Sequence, residues 1–129
     1  MPTVDEHLAK VVHNSSFLDQ LQGILDQLQG IMDRYADWII TVYFYIALHL
    51  IDAYLATNSI HPPTHHLRDS YIRRDPRLHV IYGDYRYLED LSRDARYTVY
   101  APNQHDIQDC KTSLVAIRNH LRSSFPGGL

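Results

Sequence analysis

WIITVYFYIALHLIDAYLA, residues 38 to 56, is the stretch that decides the fold. It is apolar almost all round. At the helical angle per residue its polar side chains Thr41, Tyr45, His49 and Asp52 fall within about 80 degrees of one another, and hydrocarbon covers the rest of the circumference. A helix of that kind either spans a membrane or runs through the middle of a bundle. A span would strand His49 and Asp52 in lipid, and no adjoining segment offers a juxtamembrane basic cluster or a second span. The stretch therefore reads as the central helix of a bundle, with no membrane partner.

On its N-terminal side, residues 18 to 31 repeat LDQLQGI directly and continue as MDRY. A seven-residue period is one helical stripe, here Leu18, Leu21, Leu25, Leu28, Met32 and Tyr35. Gly23 and Gly30 are costly inside a helix and predict close approach of a neighbouring one. Residues 4 to 12 extend the helix backward, with a possible break at the good caps Asn14, Ser15 and Ser16. Asp37 is the expected N-cap of the central helix, and His61-Pro62-Pro63 ends the stretch after it.

Further on, Thr64 caps a short helix to about Arg73, and Asp75-Pro76 opens a long one to about Tyr97. Its seam is Leu78, Ile81, Tyr85, Leu88, Ser92 and Ala95. After a loop at 101 to 103, a last helix repeats the spacing with Ile107, Cys110, Leu114, Ile117 and Leu121, stopping before Pro126. No strand-like alternation competes. The expectation is an all-α, antiparallel up-and-down bundle of four long helices plus one short helix, one domain over 1 to 129 with its core at about 4 to 125.

At 129 residues and 45% hydrophobic the chain can bury a real core, which argues against disorder. The lone Cys110 has no intrachain partner, and MPTVDEHL lacks the basic flank and apolar run of a secretory signal, so the expected location is cytoplasmic. Net charge is only −3, yet residues 1 to 64 carry two Lys/Arg against seven Asp/Glu and residues 65 to 129 carry ten against eight. The C-terminal half is the anion-facing half. Ten of the twelve basic residues are Arg, the type suited to bidentate phosphate or carboxylate contacts, although helix-surface ion pairs explain such residues equally well.

Several side chains are candidates for chemistry, each with a bland alternative. His49 and Asp52 either border a cleft with Tyr45 or form a buried hydrogen-bonded cluster. His49, Asp52, His61 and His65, with His66 adjacent, contain ligand types suited to zinc, but their spacing matches no strong zinc motif; no metal and no cofactor are expected. Arg68, Arg93 and Arg96 can converge on one anion or act singly as ion pairs, as Glu89 four residues before Arg93 suggests. Tyr82, Tyr85, Tyr87, Tyr97 and Tyr100 can stack on bases or pack in the core.

Three segments in order, FYIALHLIDAYL (44–55), HPPTHHLRD (61–69) and YRYLEDLSRDARY (85–97), resemble the HEPN family of small helical proteins, with the likeness covering roughly residues 4 to 122. The resemblance implies a helical bundle that commonly forms homodimers, in defence, toxin-antitoxin or RNA-processing settings, with an antitoxin or nucleotidyltransferase as companion. Active members are metal-independent ribonucleases. Their signature is an Arg followed by a polar residue and, four to six positions on, a His, in a cleft between two subunits.

Here the pattern lays out as Arg93, Asp94, Ala95 to Tyr97, Thr98, Val99 and Tyr100, so Thr98 stands at the His position. A hydroxyl can bond phosphate but cannot exchange a proton near pH 7 as imidazole does. The pair Arg74 and His79 encloses Pro76 and opens a helix rather than closing one. The expectation is a homodimer that binds RNA, a nucleotide phosphate or a protein partner near Arg93 through Arg68, Arg93, Arg96, Tyr97 and His65, with a degenerate nuclease signature that leans away from catalysis without deciding it. The enzyme alternative is a ribonuclease in which His49, His79 or His105 acts with Arg93; a third reading is an interaction module that pairs through the 18 to 31 repeat.

Overall fold

The structure, a computed structural model, describes residues 1–25, 34–98, 101–125 and 127. Among these residues the chain forms five α-helices and no strands: α1 (Val4–Leu25), α2 (Ala36–Ala56), α3 (His65–Arg74), α4 (Tyr82–Tyr97) and α5 (Gln104–Leu121). Four are long and α3 is short, as the periodicity predicts. α2 packs against α1, α4 and α5, so its apolar circumference meets a helix on three sides. Ile40, Phe44, Ala47, Ile51 and Leu55 are buried on one flank, and Ile46, Leu50 and Ala53 on another. Each large side chain so buried stabilises the fold by about 1.5–3 kcal/mol. α2 is the one described helix long and apolar enough to cross a membrane, and 67% of that apolar window is buried within the protein.

The α4 seam of Leu78, Ile81, Tyr85, Leu88, Ser92 and Ala95 is buried, and so is the α5 seam of Ile107, Cys110, Leu114, Ile117 and Leu121. Burial pushes the Cys110 thiol up to about 12, which leaves it a small apolar filler. α1 runs antiparallel to α2, since His7 meets His49 while Leu18 and Asp19 border the groove at Tyr43 and Ile46. α1 is unbroken at Asn14 to Ser16, against the predicted break. Its start is a reciprocal capping box: the Glu6 carboxylate accepts from the Thr3 N–H at 2.8 Å and the Thr3 hydroxyl accepts from the Glu6 N–H at 3.1 Å.

Three other local expectations change. A Cβ placed on Gly23 would meet nothing within 4 Å, so no close helix approach explains that glycine. Of the repeat, Gly30, Leu28 and Met32 lie outside the described residues, Leu18 and Leu21 are partly buried against the core, and Tyr35 is exposed. The central helix begins at Ala36 after Tyr35 with no side-chain cap, so Asp37 lies inside its first turn, where a carboxylate still suits the helix dipole.

α2 ends where Ser59 adopts a φ of 59° and the N–H groups of Ser59 and Ile60 bond the carbonyls of Ala56 and Leu55. Thr64 caps α3 as expected, its hydroxyl accepting from the Leu67 N–H at 3.1 Å. Asp75 does accept from the N–H groups of Arg77 and Leu78, but a 3-10 turn at His79–Ile81 intervenes, and α4 starts only at Tyr82. The Arg77 guanidinium then ties this turn to the end of α5, donating to the His120 carbonyl and the hydroxyls of Ser123 and Ser124.

Candidate anion-binding cleft

The polar stripe of α2 is divided among three neighbours. The Thr41 hydroxyl donates to the Asp37 carbonyl one turn back, a purely local bond. His49 meets α1, its Nδ1 2.9 Å from the His7 Nδ1, so one imidazole donates and the other accepts. Burial lowers the pKa of both rings, and a like charge on the partner would lower the His49 value further. Asp52 receives Arg68 of α3 in a two-point pair, Nε to Oδ1 at 2.7 Å and Nη2 to Oδ2 at 3.0 Å. Tyr45 accepts from Arg96 Nη1 of α4 at 3.1 Å.

That last contact forms the wall of a cleft of about 270 Å³ lined by Phe44, Tyr45, His65, Glu89, Arg93, Arg96 and Tyr97. Three helices build it. α2 supplies the aromatic floor, the first turn of α3 supplies His65, and one face of α4 supplies the charges. On α4, residues 89, 93, 96 and 97 recur at three- and four-residue spacing, so they stack on a single face. The cleft thus brings together Arg93, Arg96, Tyr97 and His65 of the predicted ligand set.

The two arginines are held differently. Arg96 is sandwiched, its guanidinium carbon 5.7 Å from the Tyr45 ring centre and 5.1 Å from that of Tyr97, and its Nε donates to the Ser92 carbonyl. Arg93 is half-exposed and loosely engaged, with Nη1 3.4 Å from Asp90 and Nη2 3.7 Å from Glu89. A planar guanidinium with long contacts can turn toward an incoming anion at little cost. Tyr97 is 74% exposed at the rim, an open aromatic face.

Glu89 is the residue the sequence does not single out. It is 3% exposed, and its Oε1 accepts from Arg86 Nη1 at 2.8 Å. The same nitrogen donates to Asp69 Oδ2 of α3 at 2.9 Å. The remaining oxygens, Glu89 Oε2 and Asp69 Oδ1, are buried and receive no hydrogen from any other group. Two carboxylates held by one arginine nitrogen repel each other, and a proton on either relieves the repulsion. Burial, the hydrogen bond to Asp69 and the Asp69 charge together push Glu89 up to about 7, against the pull of Arg86 and Arg93. His65 Nδ1 lies 3.9 Å from Glu89 Oε2, and burial, followed by the Arg68 charge, lowers the imidazole pKa, so the ring is neutral at pH 7. Glu89 is legible only as an acidic residue on the buried side of α4, a signal that periodicity supplies but ion-pair counting hides.

The other sequence candidates lie elsewhere. Arg68 is buried and committed to Asp52, with its Nη1 3.2 Å from His65 Nδ1, so it supports the cleft from behind. His79 sits at the opposite end of α4 from Arg93, its Nδ1 against the Asp75 carbonyl at 3.2 Å. His105 is exposed in the first turn of α5, 3.7 Å from Asp109. Thr98 donates to the Asp94 carbonyl at 2.6 Å and does not line the cleft; Val99 and Tyr100 lie outside the described residues. Among the described residues, no group of three His, Cys, Asp or Glu side chains is arranged to hold a metal ion. His49 turns to His7, both Asp52 oxygens are taken by Arg68, and His61 borders a separate cavity with His7 and Asp52.

A larger groove of about 540 Å³ runs along α1 between His7, Lys10, His13 and His49, but no arginine faces it. Volume and chemistry point to different places, and the chemistry is at the smaller cleft. In comparisons with protein-family models, curated proteins and solved structures, nothing matches this chain. Its class rests on the molecule itself: a small all-helical bundle with a cleft of mixed aromatic, basic and acidic side chains on one flank of the central helix.

Proposed function

We propose that the protein is a HEPN-like bundle that binds a phosphate-bearing ligand, RNA or a nucleotide, in the cleft between α2, α3 and α4. The observation that carries this reading is the meeting of Arg93, Arg96, Tyr97, His65 and Tyr45 around one 270 Å³ space. Two guanidiniums supply charge-assisted donors for phosphate oxygens, and Tyr97 supplies an exposed face on which a base can stack. Binding of a labelled single-stranded RNA should weaken steeply with salt and drop at least about tenfold in Arg93→Ala. Binding that is unchanged in that variant sinks the reading.

As the resemblance implies, a second copy of the chain would complete the cleft and an antitoxin or nucleotidyltransferase would be the companion; the lone, reduced Cys110 suits a cytoplasmic setting. Sedimentation equilibrium tests the first point, since a monomer at all concentrations rules out a composite cleft. A second reading, metal-independent RNA cleavage, is favoured by one observation: Glu89 and His65 line the cleft beside Arg93, and the Glu89 carboxyl is pushed up to about 7. Incubation with single-stranded RNA in EDTA decides it; cleavage that persists in a Glu89→Gln, His65→Gln double variant counts against these groups.

A further inference from the structure

The Asp69 and Glu89 carboxyls form a cluster whose charges do not balance. Arg86 alone faces three carboxylates, with Nη1 at 2.9 Å from Asp69 and 2.8 Å from Glu89, and Nη2 at 2.9 Å from Asp90. Asp90 also draws on Arg93, as does Glu89. Three negative charges therefore share two positive ones. Arg93, one of those two, is also the loosest guanidinium of the cleft. The groups acting on Glu89 are His65 and Asp69 of α3 and Arg86 and Arg93 of α4; Tyr85 couples to Glu89 and to Arg68 and Asp52, and Arg96 of α4 and Tyr45 of α2 line the same cleft. Asp52 and Arg68 neutralise each other, which leaves the carboxyl pair and Arg93 as the part whose balance can change.

An anion that takes Arg93 draws the more loosely held counter-charge away from Glu89 and adds a negative charge beside it. Both effects raise the proton affinity of a carboxyl that already shares one arginine nitrogen with a second carboxylate. Resting on the cleft reading above, we propose that anion binding at Arg93 and Arg96 is coupled to the uptake of one proton by the Asp69 and Glu89 pair, so that the protein holds a phosphodiester more tightly in mildly acidic solution than in mildly alkaline solution. By linkage the effect is reciprocal: the bound anion favours the protonated pair as much as the proton favours the anion. Glu89 titrates near neutrality in the free protein, so the coupling operates where a cell can use it.

The probe is a single-stranded oligouridylate without terminal phosphates, because its phosphodiesters and bases do not titrate between about pH 5.5 and 8. Its dissociation constant for the full chain should rise by about fivefold to tenfold across that range, and calorimetry in two buffers of different ionisation enthalpy should count roughly half to three-quarters of a proton taken up near pH 7.5. Glu89→Gln mimics the protonated pair, since its amide can donate to Asp69 Oδ1 while its oxygen still accepts from Arg86. It should bind as the wild type does at low pH, with no pH dependence and no proton uptake.

Asp69→Asn should flatten the profile in the same way and guards against misfolding of the first variant. His65→Gln should leave the slope in place. Binding that depends on Arg93 but has no pH slope, or a slope that survives Glu89→Gln or vanishes in His65→Gln, overturns the coupling and leaves the cleft reading standing. Absence of Arg93-dependent binding at every pH overturns both.

Discussion

Arg68 and Arg93 each stand beside a buried carboxylate, and the two pairs do opposite things. Arg68 closes on Asp52 through two short bonds, and only 9% and 10% of the two side chains reach solvent. Arg93 approaches Glu89 at 3.7 Å with 51% of its side chain exposed. The first pair is a clamp that fixes α3 on α2. The second is an open hand, because Glu89 has already given its good acceptor to Arg86. Equal residue types thus become a strut in one place and a ligand site in another, according to how many partners each carboxylate already holds.

The largest expected effect would break this contrast if it failed. Arg68→Ala leaves the Asp52 carboxylate buried without its partner and should cost about 3–5 kcal/mol in urea unfolding. A loss below about 1 kcal/mol would mean the clamp is solvated and no different from Arg93.

Next in size is the pH dependence of stability. Glu89 has a folded pKa of about 7 against an ordinary value of 4.5, so its protonated form favours the fold. That stability is complete below 4.5 and is lost as pH rises to about 7, on the order of 1–3 kcal/mol. His7, His49 and His65 act in the reverse direction: their pKa values are lowered by folding, so their contribution is present above the ordinary 6.5 and is lost as pH falls below it. Wild-type protein should show a stability dome, and Glu89→Gln should remove its falling neutral side while keeping its acid side. An unchanged neutral limb in urea titrations would show that the carboxyl pair is not the titrating unit.

Arg93→Ala sharpens the comparison from the other end. It should change the melting free energy by no more than about 0.5 kcal/mol, since exposed, long ion pairs stabilise little. The same variant should lose RNA binding. Smaller than that loss of binding, Ser59→Gly should add about 0.5–1 kcal/mol by relieving the left-handed backbone at the end of α2. It should leave RNA binding untouched, which checks that binding losses elsewhere are local.

Much of the bundle is legible without coordinates. The expected seams are buried, and on α5 and on α4 from Tyr85 to Ala95 helical periodicity decides which side chains share a face, whereas Leu78 and Ile81 are buried from the turn before α4. Thr64 and Asp75 cap because their short oxygens reach backbone N–H groups two or three residues on, a purely local matter. Gly23 misleads for the converse reason: a cost in one helix says nothing about whether another is near. The Arg93, Arg96 and Tyr97 face of α4 is also readable, since three- and four-residue spacing places them together. Glu89 escapes because its unusual proton affinity comes from burial together with Asp69, twenty positions away, whose approach no spacing reports.

By itself the sequence determines that this protein is helical, that residues 38 to 56 lie at its centre, and that its arginines concentrate in the C-terminal half. Those properties follow from short-range periodicity and composition. Only the tertiary structure decides that Arg68 is spent on Asp52, that His49 is spent on His7, and that Arg93, Arg96, Tyr97, His65 and Glu89 face one space. Charge partners and proton affinities depend on distances of a few ångströms between residues far apart in the chain. Those distances exist only once the helices have packed.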